Sequence, residues 1–158
     1  MADHKAPQPR LSLAKRRKAR QLILQALYQW QLAGADPLEI VSQFHEQNPG
    51  KKIDWAYFDE VFVEIPKQVV QLDEVIQPLL DRASSALDPI EKSLLHLGAY
   101  ELINRLDIPY RVVINEAVEL AKVFGATDGH KYINGVLDKL AARLRPDEFA
   151  KRKQANRK

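Results

Sequence analysis

The chain has 158 residues, 46% of them hydrophobic, with a formal net charge of +3 and no cysteine. This length predicts one domain with a substantial core, and the lack of cysteine excludes a disulfide framework, an iron–sulfur cluster and a Cys-rich zinc site. No stretch approaches the ~18–20 apolar residues of a membrane span, and the amino terminus lacks the apolar run of a secretory signal. We therefore expect a cytoplasmic protein with no membrane partner, in keeping with a chain free of cysteine.

The charge is unevenly distributed along the chain. Residues 1–20 hold seven Lys or Arg and one acid, and residues 145–158 hold six bases and two acids. Residues 21–144, in contrast, hold 11 bases and 18 acids. Basic ends favour a polyanion such as nucleic acid as ligand, and an acidic body favours a basic protein partner. The alternative is that the basic ends serve only solubility.

Hydrophobic periodicity predicts helices in the first half of the chain, because no stretch alternates in the manner of a strand. The first predicted helix covers residues 13–33. Asp36-Pro37 predicts the start of the next, with Asp as the N-cap and Pro at the first helical position. Residues 53–86 read as helical, and Pro66 and Pro78 predict interruptions, since proline removes a backbone donor.

Three further helices are predicted in the second half. Asp88-Pro89 predicts a helix start, and Glu91 gives the spacing of a capping box. The helix over 89–104 is apolar around most of its circumference, which predicts a central, buried position. Helices over 112–124 and 128–144 follow. The fold class is therefore all-α, a compact bundle of about seven helices.

Three segments are predicted from these patterns and from the charge. Residues 1–11 are expected to form a basic flexible arm, and residues 12–145 a single helical domain. Residues 146–158 are expected to form a basic flexible tail, because they carry too few apolar residues to order themselves.

The residues that could support catalysis are few. The four histidines are scattered, and neither an HExxH motif, a G-x-S-x-G motif nor a phosphate-binding loop occurs. His96 lies in the apolar central helix and is predicted to be a hydrogen-bonded core residue. We therefore predict a binding protein with no catalytic residue, no metal and no cofactor.

The start of the first helix concentrates positive charge. Residues 15–18 are four consecutive bases, and Arg17 and Tyr28 share a stripe of that helix. Clustered Lys and Arg neutralise phosphates in a salt-dependent manner, and Arg also stacks on unpaired bases. The alternative interpretation is a solvated basic turn.

The stretch "GHKYINGVLDKL" (129–140), within the last predicted helix, has two faces. One is apolar and anchors the helix, and the other carries Lys131, Tyr132 and Gly135. From the pattern alone, a packing role for Tyr132 is preferred over base stacking. Asn134 is predicted to be a buried polar residue, and Gly135 to mark a close approach to RNA or to a neighbouring helix.

Several of these motifs together resemble a known family. "RRKARQLILQALYQW" (16–30), "LDPIEKSLLHLGAYEL" (87–102), "DIPYRVVINEA" (107–117) and "VINEAVELAKVFGATDGHKYINGVLDKL" (113–140) are similar to the NusB family of bacterial transcription antitermination factors. The resemblance implies an all-helical fold of two small helical subbundles packed together. It also implies binding to the boxA element of nascent, chiefly ribosomal, RNA. The implied partners are ribosomal protein S10 (called NusE in this role), the elongating RNA polymerase and other Nus factors.

The resemblance also implies roles for individual residues. Arg16, Arg17 and Arg20 match the family's arginine-rich motif, which contacts RNA. Asp128, Lys131 and Tyr132 match "D-x-H-K-F" near the RNA, with Tyr where Phe is expected and with Gly129 where Ser is common. Two residues are implied at the NusE interface, namely Tyr28 and Glu91.

Other functions compete with this interpretation. The same helical module occurs fused to rRNA cytosine methyltransferases, but these need catalytic cysteines, which this chain lacks. A helical protein–protein scaffold or a ribosome-assembly factor without specific RNA recognition is the remaining alternative. The preferred RNA sequence and homodimer formation are left open by the sequence.

Overall fold

The computed structural model describes residues 9–50, 52–81 and 86–156, with only the backbone described for residues 9–11 and 152–156. Within these ranges the chain is helical and contains no strand, so the predicted all-α class is confirmed. The chain divides into two compact units, Met1–Val63 and Glu64–Lys158. Among the described helices, none combines the length and the apolar composition that a bilayer crossing requires.

Eight α-helices and one short 3₁₀-helix make up the described part of the chain. In chain order they are α1 Pro9–Ala33, α2 Pro37–Gln47, α3 Trp55–Lys67, α4 Val69–Ile76, the 3₁₀-helix Gln77–Leu79, α5 Pro89–Asn104, α6 Tyr110–Phe124, α7 Gly129–Leu144 and α8 Pro146–Asn156.

The first unit has an aromatic centre. Phe44 of α2 stacks on Phe58 of α3 at 5.6 Å between ring centroids, and Phe58 stacks on Phe62 at 5.9 Å. The predicted start of α2 is confirmed, since the Asp36 carboxylate accepts a hydrogen bond from the Leu38 amide at 3.0 Å. The buried apolar side chains that α1 supplies mostly recur at helical spacing, and they are Ala19, Leu22, Ile23, Leu24, Ala26 and Leu27.

The second unit is built around α5, which packs against α4, α6 and α7. Every residue from 93 to 102 is buried, so the predicted central position is confirmed. The predicted capping box is present as well, because Asp88 and Glu91 each accept a backbone hydrogen bond from the other. His96 is 3% exposed and its Nε2 lies 2.7 Å from Asp73 Oδ1, as expected of a hydrogen-bonded core histidine.

The prolines act as predicted. Pro66 lies in the last turn of α3, which ends at Lys67, and α4 begins at Val69. Pro78 lies in the 3₁₀-helix that follows α4 directly. Proline lacks the amide hydrogen that would bond to the carbonyl four residues earlier, and its ring crowds that preceding turn, so each helix stops close to it.

Residues 146–156 differ from the prediction of a flexible tail, because they form helix α8. Phe149 of α8 packs on Tyr110 at 5.4 Å, and the Glu148 carboxylate accepts a hydrogen bond from the Tyr110 amide at 2.8 Å. The preceding residue, Arg145, is 6% exposed. Its guanidinium donates to backbone carbonyls at the end of α5 and in the segment after it, those of Glu101, Leu102, Arg105 and Ile108. These contacts order a segment that has too few apolar residues to form a core of its own.

Candidate nucleic-acid interface

The start of α1 holds one arginine in a defined position. Arg16 Nε donates a hydrogen bond to Asp54 Oδ2 at 3.0 Å, and its guanidinium carbon lies 3.9 Å from the centre of the Tyr57 ring. Asp54 also caps α3, because its Oδ1 accepts a hydrogen bond from the Tyr57 amide at 3.1 Å. One carboxylate therefore holds both the Arg16 side chain and the backbone of Tyr57, whose ring lies beneath the guanidinium. Because this side chain is already ordered in the fold, it can bind a phosphate with little further loss of conformational entropy.

Arg17 and Arg20 have different surroundings. Arg17 is exposed, as a phosphate-binding residue requires. Arg20 is 4% exposed, with its guanidinium carbon 5.6 Å from the Tyr57 ring centre. The structure therefore does not present Arg20 to solvent, although the sequence prediction places it in contact with RNA. Its guanidinium instead packs near the Tyr57 ring.

The start of α7 carries its charges at the surface. Lys131 Nζ lies 3.4 Å from Asp128 Oδ1, and these side chains are 73% and 67% exposed. Asp128 occupies the left-handed region, with φ 68°, directly before the first helical residue. Aspartate is one of the few residues that adopts this conformation readily. The structure thus brings Asp128 and Lys131 together as a pair that faces solvent.

Tyr132 lies next to that pair in the chain and is partly buried. Its hydroxyl oxygen is buried. Any surface that this side chain exposes therefore belongs to its carbon atoms rather than to the hydroxyl. A phenylalanine at this position, as in the family motif, would offer the same ring.

The two residues expected at the partner interface differ in exposure. Tyr28 is a large hydrophobic side chain that is 38% exposed, which suits a contact surface. Glu91 is 7% exposed, and its Oε1 accepts the Asp88 amide at 3.2 Å. Glu91 therefore has a structural role at the start of α5 in addition to any role toward a partner.

Two expectations for α7 change with the structure. The prediction that Asn134 is buried is wrong, because it is exposed, beside a polar cleft that Asp138 and Asn115 also line. A side chain added at Gly135 would meet no described atom within 4 Å, so this glycine does not mark a close approach to a neighbouring helix among the described residues. The close approach is at Gly98 of α5, where an added Cβ would lie 2.8 Å from Leu137 of α7.

Asp54 and Tyr57 are site residues that were not predicted from the sequence. Asp54 directly precedes an apolar helical pattern, and this N-cap signal was available. Its pairing with Arg16, 38 residues away, cannot be predicted from the local sequence.

Comparison with known proteins identifies the family. The sequence model of the NusB family matches residues 17–142. The chain belongs to the NusB family. The match includes α2 to α6 completely, together with most of α1 and α7. Both cationic regions described above, at the start of α1 and at the start of α7, thus lie in or directly beside the NusB match.

Curated NusB proteins are similar over nearly the whole chain. Transcription antitermination protein NusB of Pseudomonas entomophila is 54% identical over 141 residues, which cover 89% of this chain and 85% of that protein. The protein of the same name from Hahella chejuensis is 52% identical over 139 residues, covering 88% of this chain and 93% of that protein.

Solved NusB structures share the fold. T. maritima NusB aligns with a TM-score of 0.74 and 27% identity, covering 85% of this chain and 96% of that chain. A structure of the antitermination factors NusB and NusE in complex with dsRNA aligns with a TM-score of 0.74 and 25% identity, covering 86% of this chain and 99% of that chain. The fold and the family are therefore supported by independent comparisons of sequence and structure.

Proposed function

We propose that this chain is an RNA-binding transcription antitermination factor. It binds the boxA element of nascent ribosomal RNA together with ribosomal protein S10 (NusE), and the pair joins the elongating RNA polymerase and other Nus factors in the bacterial cytoplasm. The role is one of binding, without catalysis. The observation that carries this proposal is the similarity to the NusB that was solved with NusE and dsRNA.

The RNA side of the proposal rests on the two cationic regions. Arg16 and Arg17 at the start of α1, and Lys131 at the start of α7, supply phosphate contacts. Tyr132 supplies a ring for a base. Asp128 orients Lys131 through their ion pair, and Arg20 packs near the Tyr57 ring on which Arg16 lies.

The partner side rests on charge and exposure. NusE is a ribosomal protein and is expected to be basic, and residues 21–144 carry an excess of acids. Opposite charges on two surfaces raise the rate and the specificity of association. Tyr28 offers an exposed ring at the interface, and Glu91 contributes one of the negative charges.

A titration of fluorescein-labelled boxA RNA followed by anisotropy tests the RNA side. It is carried out with and without NusE, at two salt concentrations, against a scrambled RNA of equal length. We expect preference for boxA, tighter binding with NusE, and affinity that falls as salt rises. Equal binding of both RNAs would instead favour the scaffold or assembly function.

Two substitutions at Glu91 test the partner side. Glu91→Gln keeps an acceptor for the Asp88 amide, because an amide oxygen accepts a hydrogen bond as a carboxylate does. It removes the charge and replaces the second carboxylate oxygen by an amide NH2 group. We expect weaker NusE binding in a pull-down and unchanged RNA binding, and a greater loss with Glu91→Lys. Unchanged NusE binding in Glu91→Gln would remove this residue from the interface.

A further inference from the structure

A groove of about 550 Å³ opens beside the start of α1, within the first unit. Its size lies in the range of pockets that bind small ligands. Its lining includes two cationic side chains, one tryptophan ring and one serine hydroxyl. The residues that the argument uses are Ser12, Leu13, Lys15, Arg16, Asp54 and Trp55.

Trp55 is the aromatic side chain of this groove, and neighbouring rings hold it. One face stacks on His45, with 4.0 Å between ring centroids and 26° between the planes. Phe58 meets it edge-on, at 5.2 Å and 83°. His45 is itself held by Asp59, with 2.7 Å between Nε2 and Oδ1. The indole is thus fixed by its neighbours while it still lines an open groove, as a stacking platform must be.

Hydrogen bonds link the two cations of the groove to the segment that carries Trp55. Arg16 is bonded to Asp54 through Nε, and the Asp54 amide donates to the Lys15 carbonyl at 3.2 Å. A guanidinium carries five N–H donors, and the bond to Asp54 uses one. Arg16 can therefore bind a phosphate oxygen without leaving its place over Tyr57. Because Asp54 directly precedes Trp55, these contacts fix the spacing between the cations and the indole.

We infer that this groove binds one unpaired nucleotide of a single-stranded RNA, with the base on Trp55 and its phosphate on Lys15 and Arg16. Aromatic stacking next to clustered cations is the chemistry that recognises single-stranded nucleic acid. A base inside a duplex cannot reach the indole, since both of its faces are stacked. The inference rests on the proposed RNA-binding function and adds to it a stacking residue, Trp55, that the motif resemblance does not supply.

The first experiment measures affinity for fluorescein-labelled single-stranded boxA RNA by anisotropy. Trp55→Leu keeps an apolar side chain and removes the ring, and we expect affinity to fall about 5- to 150-fold, the range for loss of one stacked base. Trp55→Phe keeps a ring and is expected to retain most of the affinity. Lys15→Ala is expected to reduce the slope of log affinity against log salt by about 0.7, as for one lost phosphate contact.

The second experiment uses the indole itself as the probe. The chain has two tryptophans, so Trp30→Phe leaves Trp55 as the only source of indole fluorescence. We expect single-stranded boxA RNA to quench that fluorescence, and the same sequence annealed to its complement to quench it far less. This measurement needs no change at Trp55, so it stays informative where Trp55→Leu impairs folding.

The outcomes separate this inference from the proposed function. If the unmodified protein binds boxA RNA but Trp55→Leu binds it equally well and the fluorescence does not respond, the groove site is overturned and the RNA-binding function stands. If the unmodified protein binds no RNA, both fail. If Trp55→Leu weakens NusE binding and leaves RNA binding intact, the groove belongs to a protein partner and the nucleotide site is overturned.

Discussion

The two cationic regions, at the start of α1 and at the start of α7, hold their charges in different ways. Arg16 in the first region is 28% exposed, bonded to Asp54 and seated over Tyr57. Lys131 in the second is 73% exposed, and its ion pair with Asp128 spans 3.4 Å at the surface. An exposed pair of this kind contributes roughly 0–1 kcal/mol to stability. The first region is therefore ordered by the fold, whereas the second has charges that remain largely solvated.

This difference has a consequence for binding. Ordering a flexible side chain at an interface costs about 0.5–1.5 kcal/mol. Arg16 meets that cost when the protein folds, whereas Lys131, as a proposed RNA contact, would meet it only on binding. Substitutions around Arg16 should therefore change stability and RNA affinity together, and substitutions of the α7 charges should change RNA affinity alone.

The largest effect is expected at Tyr132, the ring of the second region. Tyr132→Ala should weaken binding of boxA RNA by about 1–3 kcal/mol, the usual loss for one stacked base, and should leave NusE binding nearly unchanged. Tyr132→Phe is the matched control, because the hydroxyl oxygen is buried and phenylalanine keeps the ring. Anisotropy titrations of all three proteins check this. Equal RNA affinity for Tyr132→Ala and the unmodified protein would leave only the packing role.

The second effect concerns Asp54, which orders the first region. Asp54→Ala removes the cap of α3 and the partner of Arg16. Loss of an N-cap costs about 0.5–2 kcal/mol, and we expect RNA affinity to fall as well because Arg16 loses its position. Chemical unfolding and RNA titration measure the two quantities.

The control for Asp54→Ala lies in the second region. Asp128 makes no side-chain hydrogen bond at the α7 start, and Asp128→Asn keeps a residue that tolerates φ 68°. Its stability should change by less than about 0.5 kcal/mol, as for other surface substitutions. If Asp54→Ala were as mild in the unfolding experiment, the contrast between the two regions would not hold.

Local sequence predicted the helix starts well, because their causes are local. Asp36 and Asp88 each cap a helix within three residues, and a proline follows each directly. The interruptions near Pro66 and Pro78 have the same local origin. The basic start of α1 was likewise evident from composition, as was the central position of α5 from its nearly continuous apolar surface.

Long-range contacts account for what the sequence did not predict. Arg16 pairs with Asp54 across 38 residues, and Arg145 reaches carbonyls 37 to 44 residues earlier in the chain. The first contact orders the candidate RNA site, and the second helps to order α8, which composition predicted to be flexible. Such contacts depend on the tertiary fold, so no periodicity or spacing reports them.

The third effect concerns Gly135, which lies in the second region on an exposed part of α7. An added Cβ meets nothing within 4 Å, so Gly135→Ala should stabilise the protein by about 1 kcal/mol through helix propensity. Gly98→Ala is the contrasting variant, because its Cβ would lie 2.8 Å from Leu137, and overpacking destabilises by about 1–3 kcal/mol. Thermal unfolding of both variants checks the signs. If RNA approaches α7 closely at Gly135, the Ala variant will bind boxA RNA more weakly while it unfolds later.

The smallest effect on stability is expected at Lys131, and it separates the two regions most directly. Lys131→Ala removes an exposed ion pair, so unfolding should change by less than about 0.5 kcal/mol. If Lys131 contacts one phosphate, the slope of log RNA affinity against log salt should fall by about 0.7. Arg16→Ala should cause the same change in slope together with a clear loss of stability, since it also removes the contacts with Asp54 and Tyr57. A loss of stability in Lys131→Ala as large as that in Arg16→Ala would show that the α7 charges, too, are part of the folded framework.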